Sequence, residues 1–135
     1  MRKIRLTTIP RQYKNSGQHA EQVARFTFTG EIRKADNKPF TAGGDIGGLQ
    51  VKSARATICK GFDLDKHLEM DGATCYGYVT DTFEFIYIMT PTEYREFALT
   101  FGTRTTDSKA NGGGGKLRFR YETDIMRKWL EEKIL

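Results

Sequence analysis

FTAGGDIGGLQVKSARATICK, residues 40–60, sets a Gly-Gly pair between two short segments of alternating character. Gly47-Gly48 predicts a two-residue hairpin loop of the primed-turn type. In that register Ile46 pairs with Leu49 and, one step out, Asp45 pairs with Gln50. Directly opposed residues share a face of the sheet, with Cβ atoms about 4.5–5.5 Å apart. Alternation along the strand adds Lys52 to Asp45 and Gln50, and turns Leu49 and Val51 to the other side. Gly43 falls opposite Lys52 and leaves the space beside the lysine open. A carboxylate, an amide oxygen and an ammonium thus converge on one surface of a hairpin whose other surface is apolar. Such a layout suits a hard divalent cation beside a scissile phosphate.

Upstream, Ser16 is a good N-cap and opens a helix. Ala20, Val23, Ala24 and Phe28 recur at the spacing of one buried helical face. Glu21 lies about 100° round from Ala20, beside that face, where it can edge into a site at the helix–sheet boundary. Residues 1–15 read as irregular and 29–39 as a charged loop, or a turn with a first short strand.

Downstream of the hairpin, a long strand is expected from about Leu49 to Cys59, with imperfect alternation. Residues 60–73 read as a surface loop. Its Asp63, Asp65 and His67 alternate but lack a further well-placed ligand, and Cys59, His67 and Cys75 do not have zinc spacing. Cys75–Thr80 and Thr82–Met89 are strands by their Tyr, Phe, Val and Ile content, with a turn at Thr80-Asp81. Thr90-Pro91-Thr92-Glu93 is a capping box with proline at the first helical position. The helix it opens runs to about Phe101 and buries Tyr94, Phe97 and Ala98.

Residues 102–116 include four consecutive glycines and read as a cationic loop without regular structure. A strand from Leu117 to Tyr121 follows. It sets Lys116, Arg118 and Arg120 on one face and Leu117, Phe119 and Tyr121 on the other. From Thr123 a last helix is expected to bury Ile125, Met126, Trp129, Leu130 and Ile134. This order predicts one α/β (α+β) domain over residues 1–135, a mixed sheet flanked by helices.

Composition agrees with a single globular domain: 135 residues, 38% apolar, 29% charged and a net charge of +5. No apolar run approaches the roughly 18–20 residues of a membrane span. Two cysteines outside any C-x-x-C pair argue against a disulfide framework, and a cytoplasmic setting is expected. Charge is unevenly spread. Residues 1–60 carry 12 Lys and Arg against 4 Asp and Glu, residues 61–100 carry 2 against 8, and residues 101–135 carry 8 against 5. Basic ends around an acidic middle fit a protein with a nucleic-acid-facing side. The chain has no G-x-S-x-G, H-E-x-x-H or P-loop signature. Its Gly112–Gly115 run precedes a strand instead of opening a helix.

Asp45, Gln50 and Lys52, with Glu21 on the preceding helix, resemble the PD-(D/E)XK nuclease superfamily in its Q-x-K variant. The resemblance covers about Ser16 to Ile58. It implies a restriction-endonuclease-like core and a Mg²⁺-dependent endodeoxyribonuclease, with Mn²⁺ as a substitute metal. Asp45, the Gln50 amide oxygen, the Val51 carbonyl and Glu21 are the metal ligands to expect. Lys52 orients or polarises the attacking water, or stabilises the pentavalent phosphorus. Double-stranded DNA is the expected substrate, cut sequence-specifically by a homodimer or higher homo-oligomer, since one site nicks one strand. Contacts to DNA are expected from Lys3, Arg5, Arg11, Lys14, Ser53, Arg55, Arg104, Lys109, Lys116, Arg118 and Arg120. Junction resolution is an alternative activity, and a non-catalytic nucleic-acid-binding module an alternative class.

Overall fold

The computed structural model of the chain describes residues 1–11, 13–32, 46–61, 63–105 and 115–134. Its elements run β1 (Arg2–Arg5), α1 (Ser16–Thr29), β2 (Leu49–Ser53), β3 (Thr57–Lys60), α2 (Leu64–Asp71), β4 (Cys75–Val79), β5 (Phe85–Met89), α3 (Pro91–Phe101), β6 (Gly102–Thr105), β7 (Lys116–Phe119) and α4 (Asp124–Glu132). Two sheets result, one in the order β1-β5-β4-β2 and one in the order β3-β7-β6. The first is mixed: β2 runs parallel to β4, whereas β1–β5 and β5–β4 are antiparallel. The second is antiparallel throughout.

Side-chain alternation on β4 and β5 divides the interior in two. Val79 and Ile86 join Leu49 under α1, where Ala20, Val23 and Ala24 close the layer. Tyr76, Tyr78, Tyr87 and Met89 point the other way, into a core shared with the second sheet, α3 and α4. Phe97 is the hub of that core. Its ring stacks on Phe119 at 4.8 Å and on Trp129 at 5.6 Å, and Tyr78 meets it edge-on at 5.2 Å. β4 and β5 are therefore apolar on both faces, which is why their sequences read as continuous runs.

Several expectations are corrected by this arrangement. Residues 2–5 are not irregular, because Arg2–Arg5 adds an edge strand to β5. Phe28 does not complete the buried face of α1 and is 39% exposed. The long strand from Leu49 to Cys59 is two strands in different sheets, broken by a turn in which Ala56 N donates to Ser53 O at 3.2 Å. The expected loop at 60–73 contains α2, whose first turn is capped when Lys66 N donates to the Asp63 carboxylate at 3.0 Å. Gly102–Thr105 is a strand rather than loop, paired with β7. Ile125 and Tyr121 are exposed, not core. Met126 and Leu130 carry the inner face of α4 instead, with Trp129 and Ile134 partly buried against it.

Candidate functional site

The turn at the head of β2 forms as its glycines dictate. Gly47 and Gly48 both take positive φ, 43° and 88°, and Ile46 and Leu49 exchange backbone hydrogen bonds of 3.4 and 2.7 Å. Few residues other than glycine accept two successive positive φ values. Gly48 O also accepts from Thr74 N at 3.0 Å, tying the turn to the start of β4. The pairing of Ile46 with Leu49 is the expected register. Asp45 and Gly43 lie outside the described residues.

From this turn β2 presents its two faces as alternation requires. Leu49 and Val51 pack toward α1. Gln50 and Lys52, both half-buried, line a cleft of about 580 Å³ between β2, β3 and α2. Lys52 Nζ donates to Thr57 O at 3.3 Å, across the turn that separates the strands. The far wall carries Asp63, His67 and Asp71 from α2 and its cap. His67 Nε2 lies 3.5 Å from the Asp71 carboxylate, which also accepts from Tyr76 OH at 3.5 Å. Cys59 lines the cleft as well, and burial pushes its thiol pKa up. Asp65 faces away and pairs with Arg95 at 2.5 Å.

Glu21 occupies the helix on the opposite face of the sheet. It is not among the described residues lining the cleft with Gln50 and Lys52. Among the described residues no group of three or more His, Cys, Asp or Glu is placed to hold a metal ion. Of these two groups only the neutral Gln50 oxygen could ligate a cation, and a hard-cation site beside the Lys52 ammonium would need a carboxylate as well. The residue expected to supply that carboxylate is Asp45.

A second feature lies on the other side of the Ser53–Ala56 turn. Register pairs Thr103 and Thr57 with Arg118, and Thr105 with Lys116, so these side chains share one face of the second sheet. Arg55 N donates to Arg120 O at 3.0 Å and extends the β3–β7 pairing. The result is a cleft of about 420 Å³ lined by Arg55, Thr105, Arg118, Arg120 and Tyr121. Arg55 lies 4.7 Å from the centre of the Tyr121 ring. Arg118 Nε is buried and has no hydrogen-bond partner among the described residues. Arg55 holds φ 67°, at the turn position where positive φ normally selects Gly or Asn.

The remaining basic residues are dispersed. Lys3 forms an ion pair with Glu131 and sits 4.2 Å from the Phe85 ring centre, and Arg5 stacks on the same ring at 4.7 Å. Arg11 is bound to its own loop, donating to Tyr13 O at 2.9 Å and Lys14 O at 2.7 Å. Lys14 is exposed, whereas Ser53 is buried. Arg104 pairs with Leu117 and so projects from the face opposite Arg118. Lys116 is half-buried, and Lys109 lies outside the described residues. Sequence reading offered Arg55 with Ser53, and Arg118 with Arg120, as separate contacts, and did not foresee that one cleft holds the three arginines with Thr105 and Tyr121. It also missed the α2 wall of the Lys52 cleft, for which the cap at Asp63 and the glycine at Gly72 were the available signals.

Comparison with protein-family models, curated proteins and solved structures gave no match.

Proposed function

We propose that the chain is a Mg²⁺-dependent endodeoxyribonuclease acting on double-stranded DNA, with a restriction-endonuclease-like core. The observation that carries this reading is the placement of Gln50 and Lys52 side by side in a solvent-open cleft, on a strand whose other face is buried. Gln50 and Asp45 would hold the metal, with Val51 O as the further ligand expected from the resemblance; Glu21, on the helix at the opposite face of the sheet, is left out of the set. The metal's contribution is charge neutralisation at the phosphate and a more acidic bound water. Lys52 supplies a fixed cation for the developing negative charge on phosphorus-bound oxygen. Its bond to Thr57 O restricts the ammonium to the cleft. Cleavage of both strands would require two subunits.

A second reading, a nucleic-acid-binding module without catalysis, is favoured by the arginine cleft alone, since that cleft is complete without any metal ligand. One experiment separates the two. Supercoiled DNA is incubated with the wild-type protein and with Lys52→Ala, in Mg²⁺ and in EDTA. A nuclease nicks or linearises the plasmid only with Mg²⁺, and Lys52→Ala slows this by about 100- to 1000-fold while leaving DNA binding in place. Wild-type protein that binds DNA equally with and without Mg²⁺ and yields no product is the binding module. A Lys52→Ala variant that cuts at the wild-type rate removes Lys52 from the chemistry.

A further inference from the structure

We propose that the arginine cleft on the second sheet takes one unpaired nucleotide of a DNA strand, its phosphate on Arg55, Arg118 and Arg120 and its base against Tyr121. The protein then favours DNA that carries a single-stranded segment over continuous duplex. The choice of DNA as polymer rests on the nuclease reading, while the cleft itself is separate from the Lys52 cleft.

Charge comes first. The described lining holds three guanidinium groups and no carboxylate. Three like charges sharing one concavity repel, and an anion between them relieves the repulsion. Arg118 sharpens the point, because its buried Nε has no partner among the described residues. That Nε is closed to solvent, so an anion in the cleft would act on the same guanidinium through its terminal nitrogens. The planar guanidinium fork is also matched to the geometry of phosphate oxygens.

Shape and aromatic exposure then choose among phosphates. A duplex presents a convex backbone with its bases stacked on each other, out of reach of a ring on the protein. The cleft is concave, and its 420 Å³ falls within the roughly 300–1,000 Å³ typical of small-ligand pockets. On its rim Tyr121 is 68% exposed, with the Arg55 guanidinium against the ring. An exposed aromatic ring beside a cluster of cations is the arrangement that binds single strands, with bases on the ring and backbone on the charges. The chain also couples this cleft to the other one. Arg55 follows Lys52 by three residues, so their Cα atoms lie within about 11 Å, one or two nucleotides along a strand.

The test measures binding with the full chain in EDTA, where no turnover is needed. Fluorescence anisotropy compares a blunt duplex, the same duplex with a single-stranded overhang, and the single strand. The overhang and the single strand are expected to bind roughly 5- to 150-fold more tightly than the blunt duplex, the range given by stacking of one base. Tyr121→Ala erases that margin, Tyr121→Phe keeps it, and circular dichroism verifies folding of both. Equal affinity for the three DNAs, or a preference that survives Tyr121→Ala, overturns the proposal. So does displacement of the strand by a free nucleoside monophosphate at equal concentration, which would make this a mononucleotide site. Lys52→Ala should keep the preference. A preference without any Mg²⁺-dependent cleavage sinks the nuclease reading alone, and cleavage without a preference sinks this inference alone.

Discussion

Arg55 has a left-handed backbone, φ 67°, which glycine accepts readily and arginine does not. For an ordinary residue that conformation costs about 1–2 kcal/mol. Its placement has two consequences: the turn ends β2 so that β3 can enter the other sheet, and the guanidinium is delivered to Tyr121. Two variants separate them. Arg55→Gly and Arg55→Ala lose the same charge, but only glycine relieves the backbone. The glycine variant should therefore be more stable than the alanine variant by about 1 kcal/mol, some 3–4 °C in Tm for a domain of this size. Both should bind DNA equally weakly. Thermal unfolding followed by circular dichroism checks the first statement, and equal melting temperatures would mean that the turn stores no strain. Nothing in the letters Ala54-Arg55-Ala56 signals any of this. The left-handed residue is imposed by tertiary demand, since β2 and β3 must pair with different partners.

Among the elements, those whose signals are local were legible. The box at Thr90 forms as expected, with Glu93 N donating to Thr90 Oγ1 at 3.1 Å and Thr90 N donating to the Glu93 carboxylate at 2.9 Å. The Gly47-Gly48 turn and the buried strands β4 and β5 also follow from neighbouring residues alone. What was not legible depends on distant partners, with α2 the exception, since its cap at Asp63 and its glycine at Gly72 are local. Arg2–Arg5 is a strand because β5 offers it an edge, and Gly102–Thr105 because β7 does. α3 passes into β6 with no intervening loop, and Gly102 makes the junction. Its φ of −65° suits any residue, so space is what requires glycine. A Cβ there would stand 2.4 Å from Ala98 O, 2.9 Å from Leu117 Cδ1 and 3.1 Å from Ile58 Cδ1. The nearest of these is helix backbone and cannot swing away. Gly102→Ala should destabilise the fold by about 2–3 kcal/mol, read from the urea midpoint. A loss below about 0.5 kcal/mol, the range of an ordinary surface change, would show that the junction relaxes freely.

For the whole molecule, tyrosines of the first sheet bind it to the elements around it. Tyr76 OH meets Asp71 of α2, Tyr78 OH donates to Glu122 at 2.9 Å just before α4, and Tyr87 OH donates to Glu131 of α4 at 2.6 Å. Burial, and then the adjacent carboxylate, holds each of these phenols in its neutral form. The pKa of Tyr76 is pushed up to about 12, and those of Tyr78 and Tyr87 are pushed higher. Tyr94, stacked on Tyr76 at 4.1 Å, is raised by burial as well. In the unfolded chain the same phenols titrate near pH 10. The sign follows directly. Below about pH 10 neither state has released these protons, and their contribution to stability is fully present. Above it the unfolded chain releases protons that the fold retains, so stability falls as pH rises through the Tyr76 value and beyond. Each retained proton adds about 1.4 kcal/mol per pH unit to the slope. The urea midpoint should be flat from about pH 7 to 9 and drop steeply above about 10. Tyr78→Phe and Tyr87→Phe together should make that drop shallower by about two protons' worth of slope. A midpoint unchanged between about pH 8 and 11 would mean that these phenols titrate as they do in water, and that the tyrosine–carboxylate pairs do not bind the sheet to α2 and α4.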